Sequence, residues 1–253
     1  ETNRAIAHEG VEAAVAEPCF PIQLAHGHIA QALALGADFV FVPNYVNAEP
    51  THERTQSFFC PWGTSLPFVV KAASTFEGRA DRILHPLVRY RGGRAALRQS
   101  LAPALKPYGV KAKEIDRALA AAEAALARFR ARLREAGERA LARLEETREP
   151  AVLLVGRPYN LFDPVVNLDV PRKLRDLYGV NVVPLEFLAS DDQDLEAVNA
   201  NMFWSYGRRI LAGARAAGRL ERMHLIYITN FKCGPDSYIK HFVRSAFGRP
   251  FLT

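Results

Sequence analysis

The chain has 253 residues, of which 49% are hydrophobic and 24% charged, with a net charge of +6. That is enough for one large domain or two ordinary ones, and no apolar run reaches the roughly 20 residues of a membrane-spanning helix. The positive charge admits nucleic acid as a partner, but the arginines alternate with glutamates, as in RFRARLREAGERALARLEE, and no basic loop carries stacking aromatics. They read as solvated helix faces, and no nucleic-acid partner is expected.

ETNRAIAHEGVEAAV predicts a short helix and then an edge strand. In CFPIQLAHGHIAQALALG the apolar residues Ile22, Leu24, Ile29, Leu33 and Leu35 suit a helix, and Gly36 is placed to end it. Phe39, Val40, Phe41 and Val42 form an apolar run closed by Pro43, which predicts a buried strand. The loop NAEPTHERTQSFF leads on to Cys60, and its Glu53 and Arg54 read as solvated charges. CPWGTSLPFVVKAAS opens a second helix with Pro61 in its first turn, and RILHPLV predicts a further short strand.

From Lys111 to Thr147 there is no proline and one glycine, Gly137. Ile115, Leu119, Ala122, Leu126, Phe129, Leu133, Ala136, Ala140 and Leu144 recur every three or four residues. This predicts one amphipathic helix about 50 Å long, whose stripe suits either its own domain or a coiled coil with a partner. Beyond it, AVLLVGRPY, NVVPLEFL and MHLIYITNF read as strands and RPFLT opens one more. PRKLRDLYGV, NMFWSYGRRILAGARAAG and the segment after Cys233 read as helices between them, with Gly179 stopping the first. Alternating strands and helices predict a parallel, doubly wound sheet. The expected architecture is α/β: a lobe at 1–90, a helical segment at 91–150 and a second lobe at 151–253.

The three cysteines, Cys19, Cys60 and Cys233, are odd in number and far apart, which argues against a disulfide framework and for a reducing cytoplasm. ETNRAIAHEG has no apolar core of a signal peptide and no initiator Met, and GRPFLT reads as a strand cut short; both ends read as edges of a longer protein. Each cysteine opens a predicted helix, and a proline follows within two residues. Ligands of open α/β sheets bind outside the carboxyl ends of strands, so three such turns could converge on one point. Helix N-termini favour thiolate over thiol, and Gly234 allows close backbone approach. Thiolates select zinc, copper(I) or iron–sulfur clusters. Zinc would need a fourth ligand such as His26 or His28, whereas a 4Fe–4S cluster on three cysteines keeps one iron open. Three buried structural cysteines are the plain alternative.

EPCFPIQLAHGHI, FFCPW, LLVGRPYNLFDPVVNLDVPRKL, NMFWSYGRRILAGAR and TNFKCGPDSYIKHF, in this order, resemble the 2-hydroxyacyl-CoA dehydratase-like superfamily. The match is to its acyl-CoA dehydratase activase-related branch, the CoA-substrate-specific enzyme activases, related to double-cubane cluster proteins. The resemblance implies a 4Fe–4S cluster held by three cysteines, here Cys19, Cys60 and Cys233. A double-cubane 8Fe–9S cluster would need six thiolates, hence a homodimer or another domain. The resemblance also implies an ATP-dependent activator, an actin-like-fold ATPase on a separate protein or a fused domain, that drives low-potential electrons into the cluster. There a small substrate would be reduced or dehydrated. The chain has no glycine-rich phosphate loop ending in Gly-Lys-Ser or Gly-Lys-Thr, so it reads as the electron acceptor, an oxidoreductase or lyase component. A non-catalytic cluster-carrying or assembly module is the alternative. No membrane partner is expected.

His26 and His28 are candidate proton sources or donors to a cluster sulfur, or else structural histidines. Asn230 and Lys232 could hydrogen-bond or neutralise a cluster. Asp236 and Ser237 suit either capping of the last helix or proton delivery. Arg157, Tyr159 and Asn160 lie beyond the AVLLVG strand, where they would line a cavity or order the loop. Trp204 and Tyr206 suit core packing, lobe contact or ligand stacking.

Overall fold

The computed structural model describes residues 1–49, 56–188 and 195–253; Glu53 and Arg54 lie outside them. The fold is α/β with short parallel sheets. The chain divides into two units, Glu1–Ala124 and Ala125–Thr253. The division falls within the long helix, so residues 91–124 count with the first unit and 125–150 with the second.

In the first unit, helix α1 (Arg4–Ala13) starts at Asn3, whose side chain accepts the Ile6 N–H at 3.0 Å. It packs against helix α2 (Phe20–Ala34). The two backbones meet at glycines: a Cβ on Gly27 would stand 2.1 Å from the Ile6 carbonyl oxygen, and one on Gly10 2.2 Å from that of Gln23. No edge strand follows α1. Ile6, Gly10 and Ala13 make its buried face, while Val11 and Val15 face solvent with nothing to pair them.

The expected strand at Phe39–Val42 is also different. Strand β1 (Val40–Phe41) is two residues long, Phe39 and Phe41 are exposed, and only Val42 of the run is buried. Strand β2 is Asn44–Asn47. Helix α3 (Pro61–Ala72) follows, then strands β3 (Ile83–Leu84) and β4 (Leu87–Arg89). β1 pairs with β3 and β2 with β4, both parallel, in one continuous register: Val40 faces Ile83 and Asn44 faces Leu87. That register sets Pro43 against Pro86. Neither has an N–H, so the ladder breaks on both sides at one level. Ile29, Leu33, Val42, Val70, Phe76 and Ile83 are among the core residues.

Helix α4 (Gly93–Leu105) precedes helix α5 (Ala112–Thr147), 36 residues and about 54 Å. The stripe is not buried throughout. Ile115 is 3% exposed, Leu126 and Phe129 are 44% and 58% exposed, and Leu141 and Leu144 pack on the second unit's core.

The second unit is built on strand β5 (Ala151–Gly156), flanked in parallel by β6 (Asn181–Pro184) and β7 (Met223–Ile228) in the order β6-β5-β7. Leu252 adds a parallel bridge to Ile226 outside β7. Helices α6 (Pro158–Phe162) and α7 (Val170–Tyr178) lead from β5 to β6, with Gly179 left-handed at φ 64° as the stop. Helices α8 (Glu196–Asn199) and α9 (Ser205–Gly218) lead to β7, and α10 (Gly234–Phe247) leads on to Leu252. α9 packs on β5 and β7, and α10 packs on α9. The connection leaving β5 runs one way along the sheet and the one leaving β7 runs the other. The winding therefore reverses between β5 and β7, the place where open α/β sheets bind ligands.

Candidate functional site

The three cysteines share one local construction. Each is the residue immediately before a helix, has extended backbone, and passes its carbonyl to the first helical N–H groups. Cys19 precedes α2 with φ −62° and ψ 150°, Cys60 precedes α3 with φ −62° and ψ 138°, and Cys233 precedes α10 with φ −83° and ψ 95°. A proline occupies the first or second helical position each time, and no cysteine sulfur makes a capping hydrogen bond. Proline is tolerated there because its missing N–H would have had no helical partner. Cys19 and Cys233 are buried, Cys60 is half-buried, and none is in a disulfide. Three soft sulfur donors, each beside the positive end of a helix, fit a thiophilic metal or cluster in chemistry. Cys19 and Cys60 belong to the first unit and Cys233 to the second. Among the described residues, no three His, Cys, Asp or Glu side chains gather closely enough to hold a metal ion.

His26 is fully buried in α2, its Nδ1 on the Ile22 carbonyl at 2.8 Å and its ring tilted against Phe76 at 6.4 Å. Nδ1 therefore carries the proton and Nε2 is an acceptor. Burial holds the imidazole below its usual pKa, against the upward pull of the Ile22 bond. His26 is thus a neutral core histidine. His28 Nε2 is hydrogen-bonded with the Thr2 hydroxyl at 3.0 Å, tying α2 to the residues before α1.

The turn that carries Cys233 is built from the ends of β5 and β7. Gly156 ends β5 at φ 158°, and a Cβ there would stand 2.5 Å from the Ile228 carbonyl oxygen, so the two strand ends lie in contact. Arg157 follows. It is 2% exposed, and its Nε donates at 2.9 Å to Oδ1 of Asp236, which is 1% exposed. The Thr229 hydroxyl donates to the other oxygen of Asp236 at 2.9 Å. Asn160, fully buried, donates to the Ile228 carbonyl at 3.1 Å and accepts a short hydrogen bond from the Asn230 side chain. The Cys233 N–H donates to the Asn230 carbonyl at 3.2 Å, and the Ser237 hydroxyl donates back to the Cys233 carbonyl at 2.9 Å. Lys232 is exposed and left-handed at φ 65°.

Of the two readings of Arg157 and Asn160, the geometry gives the ordering of a loop: both are buried in hydrogen bonds to the Cys233 turn. Asp236 does not cap its helix, because its carboxylate is taken by Arg157 and Thr229. Tyr159 is half-buried in α6. The Tyr206 ring lies 5.7 Å from the Arg157 guanidinium carbon, and burial pushes its hydroxyl up in pKa. Trp204 packs between Phe203 and Tyr238, at 4.5 and 5.8 Å.

Two groups at this end of the sheet have no sequence signal. The Tyr227 hydroxyl is buried near Asp236, Arg157 and Cys233; burial first, then the Asp236 charge, raise its pKa. Glu186, just past β6, accepts from Arg209 at 3.4 Å, and burial raises its carboxyl pKa. Tyr227 lay hidden in an apolar strand and Glu186 in a strand-like run. A periodicity reading treats both as packing.

With the parallel sheets and the thrice-repeated cysteine turn established, the class is an α/β protein of two units with thiol-bearing helix starts. Residues 1–188 match the family described as the CoA enzyme activase uncharacterised domain (DUF2229), and the chain belongs to that family. The match takes in Cys19, Cys60, Arg157 and Asn160 and stops before Cys233. No curated protein and no solved structure matches the chain. Among the described residues, no helix is long and apolar enough to cross a membrane.

Proposed function

We propose that this chain is the electron-accepting, cluster-bearing component of an activase-type system, with Cys19, Cys60 and Cys233 as the ligands of an iron–sulfur cluster. The observation that carries the reading is the recurrence of one construction, a cysteine before a helix with proline in its first two positions, at all three cysteines of the chain. Three unrelated structural cysteines have no reason to share it. A bound cluster supplies one-electron chemistry at low potential. The chain's own residues do the holding: each helix N-terminus sets partial positive charge beside a sulfur, and each proline stiffens the turn. The Arg157–Asp236 and Asn160–Asn230 bonds fix the turn of Cys233. The donor of electrons would be an ATP-dependent activator on a partner or another domain, and the cluster would serve the reduction or dehydration of a small substrate.

Iron and acid-labile sulfide, assayed per chain after strictly anaerobic purification, test the reading. Both are expected, and Cys19→Ser, Cys60→Ser and Cys233→Ser are each expected to lower them. A chain without iron and sulfide, or a Cys233→Ser variant that keeps both in full, sinks it. ATP-dependent bleaching of the visible cluster absorbance by the activator then separates an electron acceptor from a cluster-carrying or assembly module.

A further inference from the structure

We infer that Arg157, Asp236 and Asn160 form a holder for the Cys233 turn, which makes the Gly-Arg-Pro-Tyr-Asn segment after β5 the positioning element of a cysteine far along the chain. The purpose of the holder rests on the cluster reading; its geometry does not. A buried ion pair is a poor way to add stability, because desolvating two charges costs as much as their attraction returns, and a well-packed apolar pair often does better. What the pair supplies and an apolar pair cannot is direction. Asp236 is the third residue of α10 and accepts from two donors on different strand ends, Arg157 after β5 and Thr229 after β7, both at 2.9 Å. The start of α10, and with it Cys233, is thereby fixed relative to the sheet.

Asn160 does the same on the other side of the turn. It donates to Ile228 at 3.1 Å and accepts from Asn230, whose carbonyl receives the Cys233 N–H at 3.2 Å. Between these ties the chain bulges outward, with Phe231 88% exposed and Lys232 in the left-handed region. A non-glycine residue at positive φ persists only where its surroundings hold it there. A seven-residue excursion from Thr229 to Pro235 could place Cys233 in many ways; the buried bonds select one.

The test uses two variants of the whole chain. In Arg157→Met/Asp236→Leu both charges go together, so the fold is expected to survive with a melting temperature near that of the parent. Asn160→Ala removes the second set of ties and leaves the ion pair in place. Amide hydrogen exchange of residues 229–237, and the rate at which N-ethylmaleimide labels Cys233, are read by mass spectrometry on metal-free protein. Both are expected to rise about tenfold or more in each variant, while exchange within β5 and labelling of Cys60 stay at the parent's level. A folded variant whose 229–237 segment exchanges, and whose Cys233 reacts, as in the parent overturns the proposal. So does a rise spread evenly over the whole second unit, which marks the pair as general packing. Iron content of the parent is a separate reading: its absence removes the cluster proposal and leaves the holder to stand or fall on exchange and labelling.

Discussion

His26 is legible in the sequence only as a histidine on a helix; its burial makes it a statement about stability. Its imidazole is neutral in the fold, with a pKa held below the ordinary value of about 6.5. The sign follows from proton counting. Between the folded and unfolded pKa values the unfolded chain binds a proton that the folded chain does not, so stability falls as the pH drops below about 6.5. The fall ends once the pH passes the folded value. The urea midpoint of the first unit is expected to decline between about pH 7 and pH 5, and His26→Leu is expected to flatten that decline. A parent and variant with the same pH profile contradict it. Arg157 gives the opposite kind of residue, a permanent charge. Arg157→Met alone leaves the buried Asp236 carboxylate without its cation and is expected to cost the second unit about 3–5 kcal/mol in equilibrium unfolding. The paired Arg157→Met/Asp236→Leu variant is expected to recover most of that loss.

At the scale of elements, the contact between α1 and α2 depends on the absence of side chains. Gly27→Ala would drive a Cβ to 2.1 Å from the Ile6 carbonyl oxygen, so the helices must part. Overpacking of this kind costs about 1–3 kcal/mol, and a lowered melting temperature of the first unit is the expected result. α5 divides along its length. Ile115 is buried and Phe129 is not, so Ile115→Ala is expected to cost about 2–4 kcal/mol, while Phe129→Ala stays within about 0.5 kcal/mol. Urea denaturation of the two variants, side by side, separates them. The heptad-like spacing of the stripe is uniform, so the sequence alone offers no means of telling its packed ends from its exposed middle.

At the scale of the whole molecule, two units with separate cores are expected to unfold in more than one step. Calorimetry should show two transitions, or one broader than two-state. Gly27→Ala should move only the first unit's share, and Arg157→Met only the second's; a single two-state peak that shifts as a whole with either variant argues against independent cores.

Whatever depends on neighbours along the chain is legible in the local run of residues. The 3.6-residue period placed α2, α3, α5 and α9, proline and glycine marked their ends, and a cysteine followed closely by proline placed three thiols at helix starts. Tertiary structure decided what depends on residues far apart. Pro43 meets Pro86 only once β1 and β2 lie beside β3 and β4, and that meeting separates β1 from β2. Arg157 and Asp236 are 79 residues apart, and Asp236 reads as a helix cap until β5 and β7 stand side by side. The physical reason is range. Helix propensity and capping act within a few residues, whereas desolvation of a charge is set by whatever the folded chain brings around it, which no local pattern records.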